Sequence, residues 1–130
     1  MPLDPATVRD RINEYYAVIS RGDVERAVAM FAEGAIMRDP VGTPPATDAD
    51  QRRARYAGIG AAFDAFTITP EHVTVCGDEA AAKWTVRAHS MQGKDVSFEG
   101  ISTFQFNDEG RITLMSAYWE PAAVAAAMQS

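Results

Sequence analysis

The sequence is poor in the residues that build metal sites, disulfides and phosphate clamps. Its 130 residues include one cysteine, Cys76, and two histidines, His72 and His89. A lone cysteine excludes an internal disulfide and a cysteine-rich zinc site. Nothing beside it argues for a nucleophile, so Cys76 reads as a small buried hydrophobe. The histidines stand far apart, without HxH or HExxH spacing, so no metal site is expected. There is no Gly-rich phosphate loop and no nucleophile elbow. Basic residues are in the minority: 12 Lys and Arg against 18 Asp and Glu give a net charge of −6. No basic stripe is offered to phosphates, which argues against nucleic acid and against an anionic membrane surface as partners. No apolar run approaches the roughly 20 residues of a membrane span. The opening Met1-Pro2-Leu3-Asp4 has neither a basic n-region nor an apolar h-region. The expectation is therefore a cytoplasmic protein without a secretory signal.

What is present is an apolar fraction of 47% beside 23% charged residues, the balance of a globular domain. A chain of this length buries roughly two thirds of its unfolded surface, enough for one core. No repeat, low-complexity tract or linker divides it, so residues 1–130 read as a single domain. The one irregular stretch, PVGTPPAT from Pro40 to Thr47, is short enough to be a loop.

The first half has helical period. Asp4 and Pro5 open a helix as N-cap and first residue. Val8, Ile12, Tyr15 and Ile19 form its stripe, and Gly22 ends it. Asp23 caps a second helix with Val24, Ala27, Val28 and Phe31 inward. A short strand, Ala35 to Asp39, follows, then a third helix from about Asp48 to Phe63. The second half alternates with period two: strands from Phe66 to Cys76, Ala80 to Met91, Val96 to Phe106 and Arg111 to Trp119, joined by tight turns. Pro121 opens a short Ala-rich helix. Helices followed by long strands imply an α+β fold with a curved antiparallel sheet and helices on its concave face. A pocket between the two layers is the natural ligand site.

Three polar residues fall on apolar faces. Tyr15 sits mid-stripe on the first helix, where a core tyrosine bonds a backbone carbonyl. Tyr16, one residue on, lies nearer the edge of the stripe, toward the surface. Asp39 shares a strand face with Ala35 and Met37. It is either a strand-end residue that caps the PVGTPP turn or a general base whose proton affinity desolvation raises. Ser102 stands among Val96, Phe98, Gly100, Phe104 and Phe106 on one face of its strand. It either makes room, with its hydroxyl bonded locally, or donates into the pocket. Gly100 beside it suggests space on that face. Tyr56 falls on the third helix, while Met115 and Trp119 share a strand face that reads as core.

In combination these segments resemble the steroid Δ-isomerases (ketosteroid isomerases) of the NTF2-like, SnoaL-like superfamily. The resemblance runs from about Val8 to Trp119. Tyr15 is followed by GDVERAVAMFAEGA, then RDPVGTPP, Tyr56 and FNDEGRITLMSAYW. It implies an NTF2-like cone, with three N-terminal helices and the sheet enclosing an apolar pocket. It implies a small apolar ketosteroid as substrate, no cofactor and a homodimer. The family's general base falls on Asp39, its oxyanion-hole tyrosine on Tyr15, and the supporting tyrosine on Tyr56. A further tyrosine of that network falls on Phe31, which has no hydroxyl, so the network should be shorter here. The second oxyanion donor falls on Ser102. In the best-known ketosteroid isomerases that donor is an aspartate kept protonated by its apolar site; the contrast comes from the resemblance and not from the residues of this chain. Phe63, Phe66, Met91, Phe98, Phe104 and Trp119 are the expected apolar walls. A non-catalytic pocket that binds a steroid or another flat apolar molecule is the alternative of a different class, although such a pocket gains little from a carboxylate facing hydrocarbon. Two other chemistries of the superfamily are distinguishable by residue. A hydrolase-like Asp-Arg-Asp site would draw on Arg87, and a cyclase-like aspartate–histidine site would draw on His89.

Overall fold

The computed structural model describes residues 3–129. Met1 and Pro2, part of the opening segment read above, and Ser130 lie outside the described residues. The elements are α1 (Pro5–Ser20), α2 (Val24–Ala29), β1 (Phe31–Arg38), α3 (Ala49–Ala62), β2 (Phe63–Cys76), β3 (Glu79–Ser90), β4 (Asp95–Phe106), β5 (Ile112–Tyr118) and α4 (Pro121–Gln129). Three aspartates start the first three helices as expected. Asp4 accepts from the Ala6 N–H, Asp23 from Arg26 and Asp48 from Gln51, at 2.8, 3.1 and 2.8 Å. Removing such a cap typically costs about 1 kcal/mol. Gly22, with φ 72°, provides the left-handed residue that lets the chain leave α1 and enter α2.

Strand order is β1-β5-β4-β3-β2. The pairs β2–β3, β3–β4 and β4–β5 are antiparallel, as the tight turns require, whereas β1 joins the edge of β5 in parallel. Irregular register at Phe63/Ala65, Pro70/His72 and Gln105/Phe106 marks bulges, which bend strands and increase twist. Pro70 is tolerated because β2 is an edge strand. Two strands start earlier than their sequence pattern. Phe31 opens β1 rather than closing α2, because α2 stops at Ala29 and Phe31 pairs with Ile112. Phe63 passes directly from the end of α3 into β2.

α1 buries Val8, Ile12, Tyr15, Tyr16, Val18 and Ile19 and packs on β2 and β3. Each fully buried aliphatic side chain stabilises by about 1.5–3 kcal/mol, so an acidic residue at Ile12 would detach the helix. The inner face of β3 and β4 is lined by Ala82, Trp84, Val86, Ser102, Phe104 and Phe106, all buried. Their outward neighbours Lys83, Arg87, Glu99, Ile101 and Thr103 are exposed. Cys76 departs from the buried reading: it is exposed, because it ends an edge strand on the outward side of the alternation that turns Val73 and Val75 inward. Among the described residues no helix is long and apolar enough to cross a membrane.

Candidate active site

The parallel pairing of β1 with β5 sets up one wall of the site. Arg38 lies opposite Ser116, so the chain just beyond both strands arrives at the same end of the sheet. Asp39 follows β1 directly, and Trp119 follows β5. The Trp119 Nε1–H donates to Asp39 Oδ1 at 2.8 Å across 80 residues of sequence. The following loop is fixed by Val41 N–H to the Ala117 carbonyl at 2.9 Å, and the Asp39–Pro40 peptide is cis. Arg55 of α3 donates to the Asp39 carbonyl at 3.2 Å and to the Pro44 carbonyl, clasping the loop by its backbone.

Opposite stand the phenols of α1 and α3. Tyr15 and Tyr56 are each 5% exposed, and their hydroxyls are 2.7 Å apart. Tyr15 meets Phe31 edge-on, ring centres 6.5 Å apart. Phe31 therefore fills space where a third hydroxyl could have stood, and the network ends at two tyrosines. Ser102, 4% exposed, does not stand alone on its face. Its Oγ accepts a hydrogen bond from Trp84 Nε1 at 2.9 Å.

Between these walls lies a cavity of about 330 Å³, inside the range of roughly 300–1,000 Å³ typical of small-ligand sites. Tyr15, Tyr16, Asp39, Arg55, Tyr56, Trp84 and Ser102 are its polar lining residues. Phe63, Phe66, Phe98 and Trp119 form its apolar sides, and Val124 and Met128 of α4 complete it. Two expected wall residues are elsewhere. Met91 is 53% exposed, because β3 ends at Ser90 and the chain turns away there. Phe104 is 1% exposed and lies in the core, its ring 5.2 Å from Tyr15 and 6.1 Å from Tyr16. A second hollow of about 320 Å³ opens at the α1–α2 turn and shares Tyr56, Phe63 and Phe66 with the first, but has neither Asp39 nor Tyr15.

The electrostatics follow from burial. The surface that half-buried Asp39 retains lines the cavity. Burial raises its carboxyl above the ordinary 3.8, while the Trp119 hydrogen bond and the Arg55 charge partly offset this. The Tyr15 hydroxyl is raised well above its ordinary 10.0, first by burial and then by Tyr56 and the Asp39 charge. Burial is also the largest cause at Tyr56, with the Tyr15 hydrogen bond opposing it. The site therefore pairs a carboxylate of strengthened basicity with phenols that stay protonated. That is the equipment for moving a proton to and from carbon while hydrogen bonds hold the charge that develops on oxygen.

Sequence patterns miss three participants. Trp84 lies on a face of small and aliphatic residues and reads as core. Its only signal is Gly100, its cross-strand partner. A β-carbon at Gly100 would stand 2.4 and 2.6 Å from Trp84 ring carbons and 2.7 Å from the Tyr118 carbonyl oxygen. The space that Gly100 leaves is filled by indole. Arg55 has no signal, and Tyr16, placed toward the surface by the stripe, is 1% exposed. The residues tied to other chemistries lie away from the cavity. Arg87 is exposed on the outer face, and His89 pairs with Asp64 at 2.7 Å, both well exposed. Among the described residues, no three His, Cys, Asp or Glu side chains converge.

The family model described as a SnoaL-like domain matches residues 12–115, which include Tyr15, Asp39, Tyr56, Trp84 and Ser102 and stop short of Trp119. A steroid Delta-isomerase of Nocardioides simplex is 26% identical to the chain over 117 residues, covering 89% of this chain and 92% of its own. The epoxide hydrolase/cyclase-like enzyme SalBIII, with a role in pyran ring formation in the polyether salinomycin, superposes with a TM-score of 0.83 at 24% identity. The superposition covers 92% of this chain and 95% of that one. That likeness is one of fold, the α+β NTF2-like cone with helices over a curved sheet.

Proposed function

The chain belongs to the SnoaL-like domain family, and from that premise we propose that it is a steroid Δ-isomerase, cytoplasmic and cofactor-independent, acting as a single domain. One observation carries the reading. A carboxylate held by an indole N–H at the end of β1 faces a buried, hydrogen-bonded tyrosine pair across an apolar cavity. The likeness to the steroid Delta-isomerase of Nocardioides simplex supports it.

The substrate is a β,γ-unsaturated 3-ketosteroid. Asp39 takes a proton from the carbon between carbonyl and alkene. The electron pair of that C–H bond flows into a dienolate, whose charge rests on oxygen. Tyr15, backed by Tyr56, donates a hydrogen bond to that oxygen, with Ser102 in the place of the second donor. Asp39 returns the same proton at the γ carbon, which leaves the conjugated α,β-enone. No bond to water or to a second reactant forms, so atoms balance within the substrate. Phe63, Phe66, Phe98 and Trp119 hold the flat hydrocarbon body. Asp39 and Arg55 both line the cavity, but no second aspartate and no histidine joins them among its lining residues, which weighs against the hydrolase-like and cyclase-like readings.

The decisive experiment follows the ultraviolet absorbance of the conjugated enone when purified protein meets a β,γ-unsaturated ketosteroid, beside Asp39→Asn. Turnover by wild type and a loss of about a hundred- to ten-thousand-fold in the variant are expected. A folded wild-type protein without turnover would sink the reading. The rate should fall as acid protonates Asp39, with a midpoint above 3.8. A homodimer across the outer face of the sheet goes with this reading. Ile101 and Tyr118, cross-strand partners each 49% exposed, are its apolar patch. Sedimentation equilibrium measures it.

A further inference from the structure

The cavity floor holds one hydroxyl without a task. Tyr16 is 1% exposed and lines the cavity beside Tyr15, with the two rings edge-on and 5.2 Å apart. Its hydroxyl is buried, with no complete hydrogen bond to any described residue. A buried polar group left in this way is destabilising unless something else uses it. Asp39 reaches it electrostatically, as it reaches Tyr15 and Tyr56. All three phenols therefore lie within electrostatic reach of the carboxylate and line the same cavity.

The neighbour that matters is Ser102. It sits close enough to the Tyr16 hydroxyl to lower that group's proton affinity, though the pair does not reach full hydrogen-bond geometry. A serine hydroxyl has one proton to donate and two lone pairs. Trp84 Nε1–H occupies a lone pair of Ser102 at 2.9 Å, and an indole N–H can only donate. The serine's own proton is therefore free for the phenol oxygen beside it. Once Ser102 donates to Tyr16, the Tyr16 proton has the cavity to point into. The arrangement then parallels its neighbour: Tyr56 stands behind Tyr15, and Trp84 with Ser102 stands behind Tyr16.

We propose that Tyr16 is the second oxyanion donor of this site and that Ser102 is the positioning residue that orients it. The developing dienolate oxygen is then held by two adjacent phenols from one turn of α1. The proposal rests on the isomerase reading and revises the part in it expected of Ser102. A phenol proton is more acidic than an aliphatic hydroxyl proton and makes the stronger hydrogen bond to an oxyanion. Burial raises the Tyr16 hydroxyl well above its ordinary 10.0, with the Ser102 contact offsetting part of that. It therefore donates while keeping its proton through the reaction.

The test compares full-length wild type with Tyr16→Phe, Ser102→Ala and the double variant. Each is measured for isomerisation of a β,γ-unsaturated ketosteroid, for binding of a phenolic steroid and for Tm. Phenylalanine removes one oxygen without a completed bond. Tyr16→Phe is therefore expected to keep or raise Tm while kcat drops about a hundred- to a thousand-fold and KM changes little. Ser102→Ala loses less. The double variant is no slower than Tyr16→Phe, because Ser102 acts through Tyr16. Tyr16→Phe as fast as wild type, or a double variant slowed by the product of the two single losses, overturns the proposal and leaves the isomerase reading standing. If wild type binds the phenolic steroid without isomerising the ketone, that reading fails by itself. Weaker binding in Tyr16→Phe then still supports the donor, and equal binding removes it. Neither turnover nor binding by wild type overturns both.

Discussion

Two carboxylates in this molecule each hold a ring N–H at nearly the same distance. Asp39 accepts from Trp119 at 2.8 Å at the edge of the cavity, and Asp64 meets His89 at 2.7 Å on the open surface between β2 and β3. In each pair one group binds its proton more tightly than it would in the free chain, for opposite reasons. At Asp39 burial penalises the charged form, and the uncharged indole together with the Arg55 charge offsets only part of that. At His89 the Asp64 hydrogen bond and charge favour the charged form, and burial contributes little. Contact length is therefore a poor guide to chemistry. The solvent around the pair decides whether a carboxylate becomes a stronger base or only a counter-ion.

The comparison breaks most visibly at Asp39→Asn. Besides the loss of turnover, the variant should melt higher than wild type near neutral pH. A carboxyl whose folded-state proton affinity is raised contributes its stability below the ordinary 3.8 and loses it as pH rises through the folded value. At neutral pH ionised Asp39 is therefore a burden on the fold, and asparagine removes the charge while keeping an acceptor for Trp119. An unchanged or lower Tm by calorimetry would contradict this. Trp119→Phe comes next. It deletes the hydrogen bond that favours the Asp39 carboxylate, so the acid limb of the rate profile should move to higher pH, with a smaller loss of rate on its plateau. A limb that stays in place or moves down would show that the indole does not tune the base. Asp64→Asn is the smallest. The His89 proton affinity should fall back toward its ordinary 6.5 in an NMR titration, with kcat unchanged. The sign is the same as at Asp39. The protonated pair supports the fold below the unfolded histidine's value, and that support is lost as pH rises through the folded one. The exposure of both partners keeps the effect slight.

The inward placement of Asp39 and Tyr15 is legible in the sequence because local periodicity exposes it, whereas the pairing of Tyr56 with Tyr15 and the roles proposed for all three come from the family resemblance. Asp39 lies in phase with Ala35 and Met37, and Tyr15 lies in phase with Val8 and Ile12. A periodic pattern reports which way a side chain points, but not what arrives opposite it. Trp119 meets Asp39 only because β1 and β5 run parallel across the width of the chain, and no local signal carries that. Trp84 reads as core by its neighbours, and its indole N–H acquires a partner only through the β3–β4 register. The stripe misplaces Tyr16 because consecutive helical residues lie about 100° apart, which excludes the second from a narrow stripe. Here α1 is covered over a wider arc, and six of its side chains are buried. Phe104 shows the reverse failure. It shares a strand face with Ser102, yet it lies two residues further along, beneath the tyrosines rather than beside the cavity.

The crowding around Gly100 constrains two positions unequally. A smaller side chain at residue 84 meets no steric clash, although it loses the bond to Ser102 and leaves a cavity where a buried indole stood, a change that typically costs about 3–5 kcal/mol. Residue 100 has no such freedom. Even with the indole gone, the carbonyl oxygen of residue 118 still stands where a β-carbon would go, and that oxygen belongs to the main chain, which substitution cannot delete. The glycine would outlast the tryptophan that sits over it. In a lineage that had lost Trp84, it would remain as the trace of where the indole once lay.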